Sequence, residues 1–335
     1  MKFSTISAGL LATFALAAPT PTANEVADVA EIVKRASITD VGTGYASQNG
    51  GTTGGAGGTT TTVSTYAQFT AAVAGTAKKV VVISGAITET ADQVKIGSNT
   101  SLIGKNSGSK LTGFGVIVKS ATNVIIRNIA IAKVLADNGD AIGVQLSTNV
   151  WIDHVDVSSD LDHDKDYYDG LLDARSPRIP NFTHAADFVT VSDSYIHDHW
   201  KASLVGHSDS NSAQDTGHLR VTYSNNYWSN INSRTPSLRF GTGHIFNSYF
   251  DEVADGINTR DGAQVLVESN VFVGSKKPLY STDDGYAVAS DNDFGTGSNE
   301  ALVGTLTSVP YSYSKLGSGS VEAAVVGTAG NTLSF

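Results

Sequence analysis

The chain has 335 residues, a formal net charge of −10 and no cysteine. That charge excludes the basic surface that nucleic-acid binding requires, and it disfavours a loose electrostatic grip on any polyanion. Without cysteine there is no disulfide framework, so packing alone must hold a domain of about 300 residues, a size that buries enough apolar surface to do so.

The chain begins MKFSTISAGLLATFALAAPT. Lys2 supplies a positive start, Ala8 to Ala18 is apolar but too short to span a bilayer, and Ala15-Leu16-Ala17 is a small-x-small cleavage signal. Residues 1–17 therefore read as a signal peptide and the protein as secreted and extracellular. The acidic stretch that follows ends in Lys34-Arg35, which marks 18–35 as a propeptide and 36–335 as a single domain. No later segment is long and apolar enough to cross a membrane. Asn99 and Asn181 stand in sequons and are glycosylation candidates.

Helix signals are scarce after residue 36. Thr65 to Gly75, TYAQFTAAVAG, predicts a short helix closed by glycine, and VEAAVVGTAG near the end predicts another. Between them lie β-branched runs punctuated by Gly, Asn, Asp and Ser. These runs share one template, and superposing them aligns Asn128, His154, Asp193, Asn225, Asn247, Ser269 and Asp291. The separations are 26, 39 and 32, then 22 three times in succession. A fixed period of this length in strand-only units predicts an all-β parallel β-helix with one coil per 22 residues. Propeller blades need about 40 residues, and sandwiches do not keep a constant period. Asn, Ser and Asp at equivalent corners are expected to hydrogen-bond along the ladder, and the Thr65–Gly75 helix to cap one end.

The two longest intervals exceed one coil by 17 and 10 residues, and insertions on successive coils build one face. The first insertion is rich in aspartate. Asp160, Asp162, Asp164 and Asp166 read as a solvated face. Asp169 and Asp173 are four apart at the start of an apolar strand, which places both on one face, and Asp140 stands at the matching start of the preceding coil. Adjacent carboxylates repel without a cation, and an all-oxygen set suits Ca²⁺. Spacing alone leaves two readings open, a calcium site or unpaired surface acids. Asp153 and His154 in NVWIDH read as a structural pair, and no serine stands in a nucleophile elbow.

In NSRTPSLRFG, Arg234 and Arg239 are five residues apart. An odd spacing in one continuous strand sends side chains to opposite faces. Pro236 lies between them. This segment, together with NVWIDH, DYYDGLLD and HDHWKASLVGHSDSNSAQDTGHLRVTY, resembles the motifs of secreted fungal-type pectate lyases of polysaccharide lyase family 1. The likeness runs from about Gly44 to Phe335, nearly the whole mature chain. It implies a right-handed parallel β-helix, calcium held by Asp140, Asp169 and Asp173, Arg234 as catalytic base, and Lys201 and Arg239 as the cations that hold substrate carboxylates. In that family the Arg-x-Pro-x-x-Arg segment turns a corner, so strand parity ceases to apply and both arginines are expected to reach one cleft. Two features depart from the family pattern. Asn138, beside Asp137, stands where many relatives carry an acid, and RSPRIPNF, Arg175 to Phe182, is an extra segment next to a calcium ligand.

The reaction implied is β-elimination on α-1,4-linked polygalacturonate, with Ca²⁺ as cofactor and the protein as a monomer. Removal of the C5 proton builds charge on the neighbouring carboxylate, which Ca²⁺, Lys201 and Arg239 would neutralise. An arginine base ordinarily stays protonated, and the neighbouring cations favour its neutral form, so an alkaline optimum is expected. The rival readings are a calcium-independent pectin lyase on methyl-esterified pectin, a polygalacturonase with paired carboxylates, and an inactive β-helix that binds cell-wall polymers.

Overall fold

The computed structural model describes residues 36–174 and 186–335, with Asp173 and Ala174 placed by their backbone. The signal peptide, the propeptide and its Lys34-Arg35 boundary, Asn181 and the Arg175–Phe182 segment lie outside the described residues.

The chain winds through three sheets. Sheet A has eleven strands, from Thr59–Val63 to Leu302–Val303; sheet B has eight, from Ala86–Thr88 to Val271–Val273; sheet C has nine, from Val94–Ile96 to Asn299–Glu300. One turn lays down a strand in each, as Arg220–Ser224 in A, Tyr227–Ser233 in B and Ser237–Arg239 in C. Every strand pairs in parallel with the strand one turn on, as Val150 with Val189 and Val189 with Val221. The architecture is the expected parallel β-helix.

The aligned ladder residues explain the period. Each immediately follows a sheet A strand, and a sheet B strand begins two residues later after all but Asp291, where Asp293 makes a single parallel bridge to Val271. All seven have left-handed backbones, with φ between 48° and 58°. Asn and Asp tolerate that conformation through local hydrogen bonds, which is why this one-residue corner selects them. Their side chains link turn to turn: Asn225 Nδ2 donates to Asp193 Oδ1 at 3.2 Å, Asn247 Nδ2 to Asn225 Oδ1 at 3.2 Å, and Ser269 Oγ to Asp291 Oδ2 at 2.7 Å.

Inside the coil, like residues stack. Val124, Val150, Val189, Val221 and Val265 are core residues of sheet A, and Trp228, Phe250, Phe272 and Phe294 stack with ring centroids 5.8, 4.3 and 5.6 Å apart. Each fully buried aliphatic contributes roughly 2 kcal/mol. The helix Tyr66–Val73 covers the first turns, burying Phe69 and Val73, and Thr65 Oγ1 caps it by accepting from Gln68 N at 3.3 Å.

The outer faces are covered unequally. Residues 44–47 cross sheet A, where Tyr45 N donates to Thr222 Oγ1 and Ala46 N to Thr190 Oγ1, each at 3.0 Å. The C-terminal helix, Ser318–Val325, packs Val321 and Val325 against Tyr249 and Val271 of sheet B. The insertions leave from the two edges of sheet C: 159–171 enters it, and 206–219 leaves it for sheet A.

Candidate active site

Four of the six residues assigned to chemistry line the corner where sheet B passes into sheet C. Backbone hydrogen bonds fix the order: Ala141 N to Gly170 O (3.1 Å), Leu171 N to Ala202 O (3.0 Å), Ala202 N to Ser233 O (3.1 Å) and Ser203 N to Arg234 O (2.8 Å). Asp140, Asp169, Lys201 and Arg234 therefore stand on four consecutive turns. Three turn spacings cover roughly 14 Å.

Each is positioned by its local chain. Asp140 follows the 3₁₀ turn Ala136–Asn138 and Gly139, whose φ of 88° favours glycine and where a Cβ would press on the Gln93 side chain. Asp140 is buried, and Gly170 N donates to its Oδ1 at 3.1 Å. Asp169 is half-buried, three residues before the strand Leu172–Ala174. Asp173 enters by register alone, its backbone paired with Gly143 on one side and Leu204 on the other. Asn138 turns its amide to Gly113 O at 3.3 Å, and Asp137 is exposed.

Lys201 ends the strand Tyr195–Lys201, and its ammonium lies 3.0 Å from Asp166 Oδ1. Arg234 falls in the break between the strands Tyr227–Ser233 and Ser237–Arg239, with φ of 62° and a cis Thr235–Pro236 peptide after it. Proline does interrupt the strand, and the parity argument does not apply. Arg234 is half-buried and, among the described residues, forms no side-chain hydrogen bond or ion pair.

Arg239 lies at the other edge of sheet C. Its guanidinium is buried, bonds to Asp209, reaches Asp261 Oδ2 at 3.2 Å and donates to Gly206 O at 3.0 Å. Arg260, its register partner on the next turn, shares Asp209 at 3.5 Å. The pairing with Arg239 holds Asp209 below the usual carboxylate range, whereas burial lifts Asp261. Nothing in the sequence marked Asp209 or Asp261 as partners, because they come from a loop and from the following turn.

The acidic loop is not uniformly solvated. Asp160 is mostly buried, with 16% of its side chain exposed. It accepts from His163 Nδ1 at 2.7 Å and Tyr168 OH at 2.9 Å, and it pairs with Lys133 Nζ at 3.4 Å. Burial alone would raise its pKa, but these partners outweigh it and hold the carboxyl down at about 2. Beneath the loop, His199 is buried, shares a 2.6 Å hydrogen bond with Ser159, and is lowered to about 4 chiefly by burial. Its imidazole is neutral at physiological pH.

A second acidic group lies elsewhere, at the sheet A–B corner. Asp153, His154 and Asp193 bring one ligand atom each within 4.8 Å of one another. Asp153 is already saturated: Arg127 Nε at 2.6 Å, His154 Nδ1 at 2.8 Å and Ser192 Oγ at 2.6 Å all donate to it. A guanidinium thus fills the place of a metal cation, and the Asp153–His154 pair is structural. The trio Asp140, Asp169 and Asp173 offers only oxygen donors, on adjacent turns, and is the set whose chemistry fits Ca²⁺.

The chain matches the pectate lyase family model over residues 5–333. The chain belongs to the pectate lyase family. It is 69% identical to a probable pectate lyase A of Aspergillus fumigatus and 66% identical to pectate lyase A of Aspergillus niger, with 100% of this chain and 99% or more of each relative covered. Its fold matches a pectate lyase of Bacillus sp. N165, crystallised in complex with trigalacturonate, with a TM-score of 0.75 and 33% identity over 86% of this chain and 98% of that one. The protein is a pectate lyase enzyme, and a polygalacturonase or an inactive binding module is set aside.

Asn99, one of the two sequon asparagines, is half-buried in a ladder of its own. Its Nδ2 donates to Thr76 O at 3.0 Å and its Oδ1 accepts from Asn123 Nδ2 at 3.0 Å.

Proposed function

We propose that this enzyme is secreted, is processed after Lys34-Arg35, and as a monomer cleaves polygalacturonate by calcium-dependent β-elimination. The observation that carries the reading is the succession of Asp140, Asp169, Lys201 and Arg234 on consecutive turns at one corner. Two anions beside two cations form a place where a polyanionic chain meets fixed positive charge and a recruited metal.

Ca²⁺, held by Asp140, Asp169 and Asp173, would supply Lewis-acid neutralisation of the substrate carboxylate. Arg234, in its neutral form, takes the C5 proton. The C5–H electron pair becomes the C4–C5 double bond. The C4–O4 bond breaks toward O4, which takes a proton from water, and a 4,5-unsaturated uronide leaves. Lys201 exchanges Asp166 for a substrate carboxylate, and Arg239 exchanges the exposed Asp209 for another. Charge-assisted hydrogen bonds from both then favour the enolate-like transition state over the ground state. That Arg234 has no side-chain partner among the described residues supports its assignment to the reacting proton.

The test is direct. Purified protein is incubated with polygalacturonate or highly methylated pectin, each with Ca²⁺ or a chelator, and the ultraviolet absorbance of the unsaturated product is followed. A chelator-sensitive rise on polygalacturonate is expected. A chelator-insensitive rise on methylated pectin would overturn both the substrate and the cofactor.

A further inference from the structure

We infer that Asp160 is a positioning residue of this site, holding the acidic loop in the shape that sets Asp169 and Asp166 beside Lys201. The inference rests on the calcium reading of Asp140, Asp169 and Asp173 given above.

The loop from Ser159 to Tyr168 carries no strand, so its ordering must be supplied by specific contacts. Asp160 draws three donors, one from the preceding turn and two from the middle and the end of its own loop. Lys133 precedes the turn that leads to Asp140; His163 is the middle of the loop; Tyr168 is the residue directly before Asp169.

Each donor carries the restraint onward. The His163 ring stacks on Tyr167 at 3.9 Å, and its carbonyl accepts from Trp200 Nε1 at 2.8 Å, which ties the loop to the neighbour of Lys201. Ala136 N donates to Tyr167 O at 3.0 Å, and Leu135 bridges Tyr168. One carboxylate thus links the chain leading to Asp140, the chain leading to Asp169, and the strand that ends in Lys201. Asp160 touches neither substrate nor cation in this scheme. It acts through Tyr168 and His163, as outer-shell partners orient metal ligands elsewhere.

The test uses Asp160→Asn and Tyr168→Phe in the full-length secreted protein. Calorimetry gives the Ca²⁺ dissociation constant, steady-state kinetics separate KM from kcat, and acrylamide quenching reports on Trp200. Trp151 and Trp228 are buried, so quenchable emission belongs to Trp200.

For Asp160→Asn the expected result is a Ca²⁺ dissociation constant raised about tenfold or more. KM rises, kcat at saturating Ca²⁺ and substrate stays within about threefold of the parent, and Trp200 becomes more quenchable. Tyr168→Phe shifts the same quantities less, and the double variant is no worse than Asp160→Asn. Unchanged calcium affinity and KM in Asp160→Asn would overturn the role, as would a kcat loss that saturation does not restore. If Asp160→Asn does not fold, Tyr168→Phe decides by the same criteria. If the parent protein binds no Ca²⁺, the calcium reading falls by itself. Quenching of Trp200 then still decides on Asp160, and unchanged quenching in the variant overturns its hold on the loop.

Discussion

The ammonium of Lys201 lies 3.0 Å from the carboxylate of Asp166, a loop residue with 66% of its side chain exposed. The enzyme thus presents its own carboxylate to a cation assigned to the substrate. An ion pair this exposed is weak, so substrate displaces it readily. Asp166→Asn removes the competitor. We expect KM for polygalacturonate to fall roughly threefold at low ionic strength, with kcat little changed. Initial rates across substrate concentration check this; a raised KM would mean that Asp166 helps to bind substrate instead.

Arg234 forms no side-chain bond among the described residues, so its removal should leave stability untouched. Arg234→Lys is expected to lower kcat by about 100-fold or more while the melting temperature moves little. Turnover by product absorbance and melting by circular dichroism are the two readings. Near-normal turnover would remove Arg234 from the proton transfer.

The sheet A–B corner predicts a pH dependence unrelated to catalysis. Burial, and then the charge of Asp153, raise the Asp193 carboxyl to about 7. His154 is also raised: burial opposes this, but the hydrogen bond to Asp153 together with the charges of Asp153 and Asp193 outweighs it. For both groups the folded value exceeds the unfolded one, so folding binds protons. The stability they contribute is present below the unfolded values and is lost as pH rises through the folded ones. For Asp193 stability should therefore decline from about pH 4 to about pH 7, with the His154 contribution lost at the upper end of that range and beyond. Asp193→Asn keeps a residue type suited to the corner, since Asn128, Asn225 and Asn247 occupy it on other turns. It should stabilise the protein at pH 9 by on the order of 2 kcal/mol. Urea midpoints of the two proteins at pH 6 and pH 9 provide the comparison, and equal differences at both would refute the argument.

Asn99 offers a prediction about modification. With Nδ2 given to Thr76 O and Oδ1 to Asn123, its amide belongs to the ladder. Peptide mapping of secreted material should find Asn99 without a glycan. Asn99→Ala should cost about 1 kcal/mol by breaking the ladder bonds. A fully occupied glycan at that position would show that the ladder opens there.

Much of this molecule was legible before its structure. The 22-residue spacing of Asn225, Asn247, Ser269 and Asp291 is the circumference of one coil. The left-handed corner explains why Asn and Asp recur there, so the repeat announces itself in residue type as well as in spacing. The short helix within Thr65–Gly75 was equally plain, because helix signals are local chemistry, and it forms over Tyr66–Val73. The acidic loop was read less well. Composition suggested that Asp160 and Asp166 were solvated; Asp166 is exposed, though paired with Lys201, whereas Asp160 is mostly covered, with Lys133 from another segment and Tyr168 from its own loop reaching it.

What the sequence by itself determined is therefore whatever depends on short range and on repetition: the coil length, the corner ladder, the end-capping helix, the motif residues and the family they mark. The tertiary structure alone decided which distant residues meet. Asp140, Asp169, Lys201 and Arg234 fall into one line because parallel pairing stacks each turn on the last, at intervals of 29, 32 and 33 residues that follow no single period. The break at Thr235-Pro236 sets Arg234 and Arg239 at opposite edges of sheet C, and the partners of Arg239 come from a loop and the next turn. Insertions shift sequence distance without shifting position in the coil, so spacing cannot reveal these contacts, and only the register of the stacked strands does.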